Sequence, residues 1–160
     1  MRHRPILLAL GAGLTAAAAT GAASAADPAV IELTQVGCQF IESENGQNHG
    51  FKPKSADDCN EINDRTGADR LAAAKVLELA PGSYVFRVTN RDVPYDLGFW
   101  LREHDYNRFN PLHKLSKTSI SGGGLATGTT KDYVVELEPG EYVYSCPLNP
   151  TPDYRLIVKG

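Results

Sequence analysis

The sequence has no surplus of positive charge: 16 Lys and Arg stand against 19 Asp and Glu, a net charge of −3. With no basic excess, it carries no electrostatic footprint for nucleic acid. It also lacks the short motifs of several enzyme classes. There is no G-x-S-x-G elbow for a serine nucleophile. Gly122-Gly123-Gly124 has no Lys-Ser/Thr after it and is not a phosphate loop. The acidic pair Asp57-Asp58 reads as a helix start, not as a catalytic dyad. An enzyme is therefore not expected. No C-x-x-C pair and no internal repeat occurs, and no apolar run after the N-terminal region is long enough to span a bilayer, so no integral membrane protein is expected. What remains is 160 residues, 42% hydrophobic and 22% charged, the size and balance of one globular domain.

The N-terminal region reads as an address. Arg2, His3 and Arg4 supply positive charge, Pro5 to Ala19 form an uncharged apolar run, and Ala23-Ser24-Ala25-Ala26 supply small residues for cleavage. This is the secretory signal pattern, with 1–26 as the signal peptide and 27–160 as the domain. The run is too short and too rich in alanine for a good spanning helix. The expected location is the periplasm or the outside of the cell. Losing Arg2 and Arg4 removes two positive charges and takes the net charge from −3 to −5. A mildly acidic chain is kept off anionic membranes as well as nucleic acid.

Three cysteines remain after cleavage: Cys38, Cys59 and Cys146. Cys38 and Cys59 flank an irregular polar stretch. A bridge between them closes a loop of about 20 residues and stabilises by roughly 3 kcal/mol in the chain-entropy model. Cys146 is then the odd thiol, buried and inert or a ligand.

The rest reads mainly as short strands. Val30–Val36 is the first. Residues 39–74 read as a loop–helix insertion, with Ser55 capping a short helix through Asp57, Asp58 and Glu61, and Asp69–Ala74 a second one. Lys75–Leu79 is a strand, Ala80-Pro81-Gly82 a turn, and Tyr84, Phe86 and Val88 form one apolar face of the next strand. Asp96–Arg102 follows, with Leu97 and Phe99 as core residues and Trp100 partly exposed. A polar excursion over 103–118 holds His104 and His113, and Ser121–Gly124 reads as a flexible loop. Lys131–Leu137, Glu141–Cys146 and Tyr154–Lys159 complete the pattern. About seven or eight strands with tight Pro-Gly turns predict an all-β, two-sheet sandwich.

Two segments carry a sharper signal. One runs from Leu79 to Tyr95 (LAPGSYVFRVTNRDVPY). The other runs from Gly128 through Leu137-Glu138-Pro139-Gly140-Glu141-Tyr142-Val143-Tyr144-Ser145-Cys146. Together they resemble the cupredoxins, the plastocyanin and azurin family, whose "G-x-x-V-x-F-x-V-x-N" strand leads to a histidine ligand and whose "P-G-x-Y-x-Y-x-C" strand ends at the copper cysteine. The resemblance implies a Greek-key sandwich. It covers Lys75–Gly160 and fits Val30–Val36 to the first strand, while 39–74 do not match.

Carried onto this sequence, the family's four ligand positions fall at Tyr95, Cys146, Asn149 and Tyr154. Only the cysteine keeps its residue type, and the single methionine is Met1. A blue copper centre needs two imidazoles, a thiolate and a weak axial ligand. A phenol binds metal well only as phenolate, with an ordinary pKa of about 10. Copper remains a possible cofactor, but the standard type 1 centre is not expected.

Three readings stay open. In the first, the scaffold is a periplasmic binding or accessory module with a protein partner, and Tyr95, Tyr154, Asn149 and Arg155 form a polar aromatic patch. In the second, Cys146 holds copper or another metal in an atypical site, as a metal-binding protein or electron carrier, with Cys38 and His49, or His104 and His113, as further ligands. In the third, Cys38 pairs with Cys146 in place of Cys59.

Overall fold

Alternation of apolar and polar side chains places the strands, and the computed structural model describes residues 27–107, 109 and 120–160. The signal-like stretch 1–26, His113 and most of the predicted polar excursion lie outside the described residues. Among the described residues no helix is long and apolar enough to cross a membrane.

Nine strands are described: β1 (Ala29–Val36), β2 (Gln39–Phe40), β3 (Leu77–Leu79), β4 (Gly82–Asn90), β5 (Leu97–Glu103), β6 (Ile120–Leu125), β7 (Thr130–Leu137), β8 (Gly140–Ser145) and β9 (Tyr154–Val158). One helix, α1 (Ala56–Ala73), and a 3-10 turn over Glu42–Glu44 lie between β2 and β3. The strands form two sheets, β2-β1-β4-β7 and β3-β9-β8-β5-β6. The β1–β4 and β3–β9 pairs are parallel and the other pairs antiparallel. The fold is thus mostly β and sandwich-like.

Period-2 patterning explains which face each sheet buries. In β4, Phe86 and Val88 are fully buried, and in β7 Tyr133, Val135 and Leu137 join them. The second sheet contributes Leu97, Phe99, Leu101, Tyr142, Tyr144, Leu156 and Val158 to the same core. Phe99 stacks on Phe86 at 5.4 Å between centroids, and Phe40 meets Phe99, Tyr144 and Tyr154 edge-on. On the outer face of the first sheet, register aligns Glu32, Arg87 and Asp132 in one row. There Arg87 donates to both oxygens of Asp132 at 2.8 Å.

The structure differs from the sequence expectations in the insertion and in β6. Gln39 and Phe40 are sheet and core residues, paired with β1, and not part of the inserted stretch. The two predicted short helices are one helix of 18 residues. Ser55 does cap it: Asp58 N–H donates to Ser55 Oγ, and Asp58 returns a bond to the Ser55 N–H in a capping box. Continuity comes from tertiary contacts. Cys59, Asn63, Thr66 and Arg70 fall at helical spacing on one face, and all four bond to the body or to one another. Gly67 stays helical because its neighbours are held on both sides.

Ser121–Gly124 is not a loop but the centre of β6. Two close approaches require glycine here. A Cβ on Gly98 would stand 2.8 Å from Gly122 O, and one on Gly122 would stand 3.0 Å from the Tyr133 ring. With β2 and β6 added, the strand count among the described residues is nine, not seven or eight.

Gly37 shows how closely the insertion lies against the sandwich. A Cβ there would meet Phe51 O and Pro53 Cδ, each at 2.4 Å. Gly37→Ala therefore forces residues 51–53 away from β1 and is expected to cost about 1–3 kcal/mol, the range for overpacking. Urea denaturation reads this directly. An unchanged midpoint would mean that the 51–53 segment yields freely.

Candidate functional site

Cys146 follows β8 directly and is buried at 1% exposure, the one free cysteine among the described residues. Its sulfur accepts the N–H of Asn149 at 3.2 Å and of Gly98 at 3.4 Å. Gly98 can serve because the β5–β6 register shifts between Leu97 and Phe99. Its carbonyl accepts Gln35 Nε2 at 2.7 Å, and Gln35 Oε1 is buried without a partner among the described residues. Burial pushes the Cys146 thiol up, against the pull of the Gly98, Asn149 and Leu148 N–H groups. The sulfur is therefore a protonated, sheltered thiol and a poor nucleophile.

Asn149 is fully buried and its amide is in use on both sides. Nδ2 donates to Val36 O at 2.9 Å, and Oδ1 accepts the Cys38 N–H at 2.9 Å. Oδ1 also lies 3.2 Å from Cys59 Sγ, a contact without a proton because that sulfur is bridged. Tyr95 donates its hydroxyl to the same oxygen at 3.5 Å. Burial raises the Tyr95 phenol, and the neighbouring Cys146 and Asp58 raise it further, so it stays protonated. The structure thus brings Tyr95, Cys146 and Asn149 together.

Tyr154 is used elsewhere. It is fully buried, packed against Phe40 and Tyr144, and its hydroxyl donates to Glu44. Glu44 also accepts Arg70 Nη2 at 2.7 Å and meets His49 Nε2 at 2.6 Å. Burial works to raise the Glu44 carboxyl. The hydrogen bonds from Arg70, Tyr154 and His49 and the Arg70 charge overcome it, and the carboxyl titrates below its ordinary value. The predicted patch is split accordingly: Arg155 pairs with Glu141 at the surface, and Tyr154 faces the Glu44 cluster.

Cys38 and Cys59 form the disulfide, with Cα atoms 5.1 Å apart, which excludes a Cys38–Cys146 bridge and occupies Cys38 as a ligand. His49 is committed to Glu44 and stacks on Phe51 at 5.4 Å, while His104 is exposed. Among the described residues no three His, Cys, Asp or Glu side chains converge to hold a metal ion. Tyr95 and Asn149 offer a protonated phenol and an amide already bonded to backbone. That donor set does not fit a type 1 copper ion.

Glu44 and Arg70 were not legible as site residues. The available signal was the spacing of Cys59, Asn63, Thr66 and Arg70, a helical stripe of polar residues that an apolar periodicity does not register.

No protein-family model matches the chain, and no curated protein matches it.

Proposed function

We propose that the chain is an exported, cupredoxin-like binding or accessory protein that has given up the standard blue copper centre and catalyses no reaction. The observation that carries this reading is the employment of Asn149. At the position where the resemblance implies an imidazole, a buried amide ties the loop after β8 to Val36 and Cys38. An imidazole in its place could not donate to Val36 O and accept from Cys38 while also offering a lone pair to a metal.

Support for the cupredoxin-like, Greek-key part of the reading comes from the two sheets, from the parallel β1–β4 pair and from the seat of Cys146 directly after β8. Export rests on the signal pattern of 1–26, and the partner is a protein of the same compartment.

The test is reconstitution with copper followed by visible spectroscopy. No intense band is expected at about 600 nm, where copper–thiolate charge transfer absorbs. Such a band, lost in Cys146→Ser, would overturn the proposal and install an atypical copper site in its stead.

A further inference from the structure

Asn45-Gly46 is the one Asn-Gly pair in the sequence, and the other asparagines precede His, Glu, Asp, Arg or Pro. The pair closes the 3-10 turn Glu42–Glu44, with φ +57° at Asn45 and +82° at Gly46, the left-handed region that these two residue types enter most readily. Both residues are exposed. The side-chain amide of an asparagine is open to attack by the backbone nitrogen that follows it. Glycine, with no Cβ, obstructs that approach least.

In the fold both reacting groups are tied. The Gly46 N–H donates to Ile41 O at 2.9 Å, which holds the attacking nitrogen to the turn. The leaving nitrogen, Asn45 Nδ2, donates at 2.9 Å to the carbonyl of Ala73, the last residue of α1. The amide is thereby anchored to the helix and not free to fold back on its own backbone. The same turn meets the chain after α1 once more, where the Lys75 N–H donates to Ser43 O at 2.8 Å. For the Gly46 nitrogen to reach Asn45 Cγ, the turn must open and give up both of the first two bonds.

We propose that Asn45 is a deamidation site that the fold holds shut and that local opening of the turn releases. Hydroxide takes the Gly46 N–H proton, and the nitrogen bonds to Asn45 Cγ. The Cγ–Nδ2 bond breaks, and Nδ2 takes a proton from water and leaves as ammonia. Water then opens the cyclic imide at either carbonyl and yields aspartate or isoaspartate at 45. Nothing is oxidised or reduced, and water is the co-reactant.

The product cannot rebuild the tether. A carboxylate has no N–H for Ala73 O, and it stands at the negative end of the α1 dipole, next in sequence to the Glu44 carboxylate. Isoaspartate also lengthens the backbone beside Glu44, which accepts from Arg70 and Tyr154. Deamidation therefore loosens the turn from α1 and marks each molecule that has opened with one more negative charge. None of Tyr95, Cys146 or Asn149 takes part, so the inference goes beyond the proposed function and its failure leaves that reading untouched.

The experiment incubates the purified, disulfide-intact protein at mildly alkaline pH, folded and in urea, and follows the amide-to-acid mass gain residue by residue with peptide mass spectrometry. In urea Asn45 is expected to convert ahead of every other asparagine, and in the folded protein at least about tenfold more slowly, because reaction then waits for local opening. Asn45→Asp, which carries the product directly, is expected to speed hydrogen exchange of the Lys75 amide several-fold relative to the parent protein. Three results would each overturn the proposal: another asparagine converting first in urea, equal rates at Asn45 in the folded and unfolded protein, or unchanged exchange at Lys75 in Asn45→Asp.

Discussion

Arg70→Met is expected to cost about 3–5 kcal/mol, the range for removing one partner of a buried ion pair. The Arg70 side chain is 6% exposed and the Glu44 side chain 4%. Without Arg70 that carboxylate keeps only Tyr154 and His49, and Asn63, Thr66 and the Cys38 carbonyl lose a donor together. Urea denaturation of the variant measures the loss. Glu44→Gln combined with Arg70→Met should recover part of it, since no charge is then stranded. A loss below about 1 kcal/mol would mean that Glu44 is hydrated and the pair counts as a surface one.

The same pair makes the protein sensitive to acid. Glu44 titrates below its ordinary value of 4.5 in the folded state. A depressed carboxyl stabilises above the unfolded value, and that stabilisation is lost as pH falls through the folded one. Unfolding free energy should therefore decline as pH drops below 4.5, with a smaller Glu44 contribution in Arg70→Met, where the charge that holds the carboxyl down is gone.

Asn149→Ala is the second large effect, expected at about 2–4 kcal/mol. It strands the Val36 carbonyl and the Cys38 N–H, both in buried residues, and each unmet group costs about 1–3 kcal/mol. Asn149→Asp separates bonding from packing. Its shape is the same, but a carboxylate oxygen then faces Val36 O where a donor stood, so it should destabilise at least as much as alanine. Thermal denaturation of the two variants decides the matter. A tolerated aspartate would show that Nδ2 does not serve Val36.

The strands were legible because their chemistry is local. Phe86 and Val88 alternate with Arg87 and Thr89, and Pro-Gly pairs sit at two of the turns. The Ser55 cap and the Cys38–Cys59 bridge were legible for the same reason, the first from an N-cap residue followed by acids and the second from two cysteines flanking one polar stretch. The helix length was hidden because its buried face is polar. β6 was hidden because its glycines resemble a loop until Tyr133 and Gly98 are brought beside them. Of the residues implied as ligands, Asn149 meets both Cys146 and Tyr95, whereas the partner of Tyr154 depended on which acid of Glu42-Ser43-Glu44 turns inward. That choice belongs to the three-dimensional path of the chain and leaves no mark in a short window.

The parallel pairing of β1 with β4 has a kinetic side. Ala29 lies opposite Tyr84, so the pair forms only after the intervening chain has been gathered in. The Cys38–Cys59 bridge, 21 residues apart in sequence, lies inside that stretch and short-circuits it. A shorter path costs less entropy to close, by a few tenths of a kcal/mol on a logarithmic scale. Oxidation ahead of collapse would thus speed the slowest long-range contact of this topology.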